Sequence, residues 1–136
     1  MTNMSKKHKD SFSDQLHRLD TLPHEGSGDL TFIRYEYLLR PMCEPLVVAK
    51  AIRVLEAYKA GKAKSYKASV QVLDVIPTQA GAFINKIRKD IKSGKLTKPI
   101  LIWKGPGGQP YLLDGHHRLA AAVLLGIAEL PAIIAS

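Results

Sequence analysis

The sequence predicts an α+β fold, a small mixed sheet packed with helices and preceded by an N-terminal helical region and a tail. Three observations carry this. In the second half of the chain, short β-branched or apolar runs alternate with segments whose apolar residues recur at helical spacing. Prolines and glycines stand at the ends of those segments. A chain of 136 residues, 46% hydrophobic and 24% charged, has the size and composition of one globular domain.

Residues 1–28 read as a flexible basic tail. It holds Lys6, Lys7, His8 and Lys9, an amphipathic piece around Phe12, Leu16 and Leu19, His17, and a linker-like end from Pro23 through His24 to Gly28. Residues 29–66 form the expected helical extension. Within it, 31–39 is a short helix or strand stopped at Arg40-Pro41, because a residue before proline disfavours helix. A helix follows over 45–60, with Lys50, Arg53, Glu56 and Lys59 polar at every third position and Gly61 as its stop. Residues 62–67 read as a basic connector.

Residues 67–136 form the main domain. A strand over 69–76 rests on Val70, Val72, Val75 and Ile76 and ends at Pro77. A helix over 80–92 buries Phe83, Ile84, Ile87 and Ile91 and is capped by Gly94. An apolar strand over 99–103, a turn at Gly105-Pro106-Gly107-Gly108 and a return strand over 110–113 make a hairpin. The last helix spans 115–125 and stops at Gly126, and a closing strand covers 130–134.

Cys43 is the single cysteine, so no internal disulfide can form, which fits a reducing compartment. No apolar run approaches the roughly 18–20 residues of a membrane span, and the N-terminus lacks the apolar core of a secretory signal. A cytoplasmic protein with no membrane partner is expected. The net charge is +8. Much of the excess lies between Lys50 and Lys98, and on the helix over 80–92 it falls on Lys86, Arg88, Lys89 and Lys92, a candidate nucleic-acid surface, with DNA the expected polyanion.

The most informative run is Asp114-Gly115-His116-His117-Arg118, set between an apolar strand and an alanine-rich helix. The first N–H groups of a helix lack internal partners and favour anions. Gly115 permits close backbone approach, and Arg118 offers a planar fork for phosphate oxygens. Lys98 adds positive charge. Asp114 suits Mg²⁺ or the positioning of water. His116 or His117 suits acid–base work or phosphate donation, and adjacent histidines point different ways, so one faces the ligand. The plainer alternative makes Asp114 the N-cap and the rest a solvated first turn. A zinc site from Asp114, His116 and His117 is disfavoured, because neighbouring helix residues do not converge as i, i+4 pairs do.

In this order the segments resemble the ParB/sulfiredoxin-like superfamily over residues 70–134. The resemblance rests on Ile76-Pro77-Thr78-Gln79 after the first strand, on Gly94 through Pro99-Ile100-Leu101-Ile102, and on Tyr111 through Asp114-Gly115-His116-His117-Arg118 to Ala122, then Leu125-Gly126 and Leu130 to Ile134. It implies a nucleoside triphosphate, CTP or ATP, bound with Mg²⁺ by Thr78, Gln79, Lys98 and the 115–118 run. It implies an NTPase or nuclease-type activity on or with DNA, and a homodimer is a further candidate. The alternatives are a free-serine-type kinase using ATP or ADP, or a non-catalytic nucleotide- or DNA-binding module. Sulfiredoxin chemistry needs a cysteine where His116 stands. The free-serine kinase branch carries the same Asp-Gly-His-His-Arg string, but its glutamate after the first strand has no counterpart in Pro77-Thr78-Gln79.

Overall fold

The computed structural model of the chain describes residues 19–39, 41–93 and 95–136. The expectations for Lys6, Lys7, His8, Lys9, Phe12, Leu16, His17, the stop at Arg40 and the cap at Gly94 lie outside the described residues. The fold is mixed α+β, as expected. Its strands are β1 (Phe32–Arg34), β2 (Ser65–Gln71), β3 (Gly81–Phe83), β4 (Ile100–Lys104), β5 (Pro110–Asp114) and β6 (Glu129–Ala135). Its helices are α1 (Pro45–Lys59), α2 (Ile84–Ser93) and α3 (His116–Leu125). No helix among the described residues is long and apolar enough to cross a membrane.

Four strands form one sheet in the order β2-β6-β4-β5. β6 pairs antiparallel with β2 and parallel with β4, and β4 and β5 form the antiparallel hairpin. Both faces are covered. Ile100, Ile102, Leu112, Ala132 and Ile134 point to the core shared with α2 and α3. Leu101, Leu113, Ile133 and Ala135 point to the other face, where Ala51, Val54, Leu55 and Tyr58 of α1 lie. A strand with both faces buried needs apolar residues at successive positions, which is why β4 reads as the unbroken run Ile100-Leu101-Ile102-Trp103.

Three expectations are corrected. The strand over 69–76 is two pieces: β2 begins at Ser65 and ends at Gln71, and Val72–Asp74 is a 3-10 turn. Ile76 then joins the opposite edge of the sheet through a parallel bridge to Tyr111. The turn arises because Val72 and Val75 enter the core while Leu73 stays exposed. Residues 65–67 are strand, not connector, because they pair with Ile133, Ile134 and Ala135; tertiary pairing outweighs their weak β propensity. The helix over 80–92 starts only at Ile84, because Gly81–Phe83 pairs with β1. A Cβ on Gly81 would fall on the carbonyl oxygen of Ile33, so the two backbones approach as closely as they do only because residue 81 is glycine.

The stretch read as an extension is built into this core. Residues 31–39 supply β1 and a 3-10 turn, Tyr35–Tyr37. Ile33 and Tyr35 are fully buried against the α2–α3 face, and so is Leu19, which lies in the stretch read as a flexible tail and departs from that reading because it packs into the core. Ile102 lies under α3 with no exposed surface. Ile102→Ala should therefore cost about 2–5 kcal/mol in urea unfolding, whereas Lys104→Ala, exposed on the same strand, should stay within about 0.5 kcal/mol.

Candidate functional site

The junction of β5 and α3 is built by a bulge and a glycine. Ile102 pairs with Leu112 and Leu101 with Asp114, so Leu113 is the extra residue of β5. A bulge bends a strand and re-aims its end. Asp114 emerges exposed, and its Oδ1 accepts the N–H of Gly115 at 2.9 Å. Gly115, not Asp114, is the N-cap of α3, with φ at 107°. A Cβ there would lie 2.6 Å from Cγ2 of Ile100 and 3.4 Å from Nη2 of Arg118. Both the left-handed backbone and the tight contact exclude other residues.

The first intrahelical bond of α3 runs from Leu119 N–H to Gly115 O. The N–H groups of His116, His117 and Arg118 have no backbone partner among the described residues. They open on a cleft of about 360 Å³ lined by Gln79, Asp90, Lys98, Asp114, Gly115, His116, His117 and Arg118. The sequence-predicted residues Gln79, Lys98 and 114–118 thus come together. Arg118 donates through Nη1 to the carbonyls of Lys98 (3.0 Å) and Pro99 (2.6 Å). It ties the rim loop to the helix while Nε and Nη2 keep donors without a partner among the described residues.

The two histidines diverge, as expected, and each makes a different latch. His116 is buried, and its Nε2 accepts the backbone N–H of Thr78 at 3.3 Å. The Thr78 hydroxyl donates to Leu112 O at 2.6 Å, so Thr78 ties to both β5 and α3. The fully buried Tyr35 donates its hydroxyl to the carbonyl of His116, and its ring meets the imidazole edge-on at 5.8 Å. His117 is half-buried, stacks on Phe83 at 6.2 Å and accepts the Phe83 N–H through Nε2 at 3.2 Å. With Nε2 accepting in both rings, each neutral imidazole carries its proton on Nδ1.

Charge follows from this burial. Desolvation, helped by His117, lowers the pKa of His116 from 6.5 to about 3. Desolvation and then Lys86 lower that of His117, against the opposing pull of Asp90 and Asp114. His116, read as an acid–base candidate, is held neutral near pH 7 with Nε2 occupied, which suits it to fixing residue 78 rather than to trading protons. The zinc alternative fails on geometry. Both Nε2 atoms face backbone donors, and no three His, Cys, Asp or Glu side chains among the described residues converge on an ion position. Asp114 keeps one carboxylate oxygen without a partner among the described residues, which fits a Mg²⁺ ion carried with phosphates and largely hydrated.

The α2 cations diverge. Lys86 sits over the Phe83 ring at 5.5 Å, close to the cleft. Arg88 is engaged with Asp20 and with Asn85 Oδ1 (3.2 Å), so it is already paired, unlike a free phosphate contact. Lys89 and Lys92 are exposed. Sequence reasoning missed Tyr35, Phe83 as a platform, and Asp90. The last appears in the sequence only as an acid among lysines; its place one turn after Lys86 is the signal that puts both on one side of α2.

No protein-family model matches the chain, and no solved structure matches it. Among curated proteins, one named ATP-dependent L-serine kinase, from Staphylothermus marinus, is 39% identical over 62 residues. The match covers 45% of this chain and 23% of that protein, so the chain spans less than a quarter of the length of its relative.

Two outcomes follow from the geometry. Gly115→Ala should destabilise the fold and move the 98–99 rim; the check is urea unfolding together with amide shifts of that loop. Acid should weaken the protein through His116. Below pH 6.5 the unfolded chain takes up a proton that the folded one refuses until about pH 3. Stability should therefore fall with pH in that window, with this group contributing about 1.4 kcal/mol per pH unit. His116→Gln should flatten that slope, measured by chemical unfolding at a series of pH values.

Proposed function

We propose that the chain binds the phosphates of a nucleoside triphosphate, ATP, at the start of α3 and transfers the terminal phosphoryl group to a small alcohol of the serine type. The observation that carries this reading is the cleft itself. Unpartnered helix N–H groups, Arg118, Lys98 and a carboxylate at Asp114 surround one cleft of about 360 Å³. The partial similarity to an ATP-dependent L-serine kinase supports the choice of ATP and of an alcohol acceptor. Membership of the ParB/sulfiredoxin-like superfamily belongs to the same proposal, supported by the β5–Gly115–α3 junction.

Each residue has a stated part. Backbone N–H groups of 116–118 and the free donors of Arg118 hold phosphate oxygens. Lys98 and Lys86 balance the charge of the triphosphate. Asp114 holds Mg²⁺, which supplies charge neutralisation on the phosphates when bound. His116 and, through Phe83, His117 position the 78–83 segment that carries Gln79, and Nδ1–H of His117 is a candidate phosphate donor. A second reading, nucleotide-dependent contact with DNA, is favoured only by the exposed Lys89 and Lys92 on α2.

ATP with Mg²⁺ should raise the melting temperature of the wild type by mass action, by about 2.7 kcal/mol of stability at one hundred times Kd, and more than CTP at equal concentration. Asp114→Asn keeps an oxygen for the Gly115 N–H and should fold normally, yet lose about 100-fold or more of phosphoryl transfer to L-serine. A thermal shift with CTP alone, or salt-dependent DNA binding without any transfer, would favour the second reading.

A further inference from the structure

The cleft holds two carboxylates from different elements. Asp114 ends β5 beside the helix N-terminus, with Oδ1 committed to the Gly115 N–H. Asp90 lies on α2, lines the same space, and its carboxylate has no hydrogen-bond or ion-pair partner among the described residues. His117 feels both, since each acid opposes the lowering of its pKa. An acid left unpaired in a cleft that also contains Lys98, Arg118 and a helix N-terminus has a ready role toward a ligand that brings its own proton. Of the other groups there, Gln79 is an amide, His117 Nε2 is occupied by the Phe83 N–H, and Asp114 is assigned to the phosphate side by the reading above.

We infer that Asp90 is the catalytic base of the cleft, accepting the proton of the alcohol that attacks the terminal phosphorus. This rests on the kinase reading above. The alcohol oxygen forms the new O–P bond as the bond from that phosphorus to the β-phosphate oxygen breaks, with its electron pair going to the leaving ADP. The hydroxyl proton passes to the Asp90 carboxylate and then to solvent. Asp114 stays on the phosphate side and Asp90 on the alcohol side, a division of labour that phosphoryl transfer requires. The alcohol therefore sits between α2 and the start of α3, on the side of the cleft that Asp90 lines.

The test compares wild type, Asp90→Asn and Asp90→Ala for melting-temperature shift with ATP and Mg²⁺ and for phosphoryl transfer from ATP to L-serine. Asp90→Asn should keep the ATP-induced shift and lose about 100-fold or more in kcat, with KM for ATP little changed. Added formate should restore part of the rate of Asp90→Ala and none of that of Asp114→Asn, a rescue that a merely structural role would not give. If Asp90→Asn transfers at the wild-type rate, or formate rescues nothing, Asp90 is not the base and the kinase reading stands. If the wild type binds ATP but phosphorylates neither L-serine nor related small alcohols, that reading falls and takes this assignment with it.

Discussion

The site depends on one backbone constraint, the left-handed conformation of Gly115 against Ile100. With no Cβ at 115, β4 passes directly under the junction and β5 can turn into α3 without an intervening loop. The helix then begins at His116 with its N–H groups facing open space. Arg118, the third residue of α3, can fold back along the glycine to reach the carbonyls of Lys98 and Pro99. Any side chain at 115 would push on β4 through Ile100, so that wall of the cleft is set by one atom's absence.

The histidines serve this geometry more than they serve charge. Each accepts a backbone N–H, one from residue 78 and one from residue 83, and so the segment between them is fixed to the helix at both ends. Burial keeps His116 neutral. The positive character of the cleft at neutral pH therefore comes from Arg118, Lys98, Lys86 and the helix N-terminus, with Asp90 and Asp114 as its only acids among the described lining residues. Such a cleft complements an anion.

Most of this was legible in the sequence where local and tertiary preferences agree. The apolar run of β4, the glycine turn of the hairpin, and the Asp114–Arg118 string between strand and helix each state their structure locally. The misreadings fall where distant pairing decides. Val72 and Val75 look like strand residues, yet their segment bends so that Ile76 can reach the edge beside β5. Gly81–Phe83 continues a helical pattern but pairs with β1. Tyr35 carries no local mark of function and Asp90 carries only its spacing from Lys86, because the packing of α2 and of the 35–37 turn against α3 is what brings them to the site.

The central claim is that nucleotide phosphates rest on the first turn of α3. Titration of ATP with Mg²⁺ into the isotopically labelled protein, followed by backbone amide NMR, tests it most directly. The account predicts that the largest shifts fall on the amides of His116, His117 and Arg118, with smaller ones at Lys98 and Gln79. Largest shifts on Lys89 and Lys92 of α2, or none anywhere at saturating ATP, would contradict it.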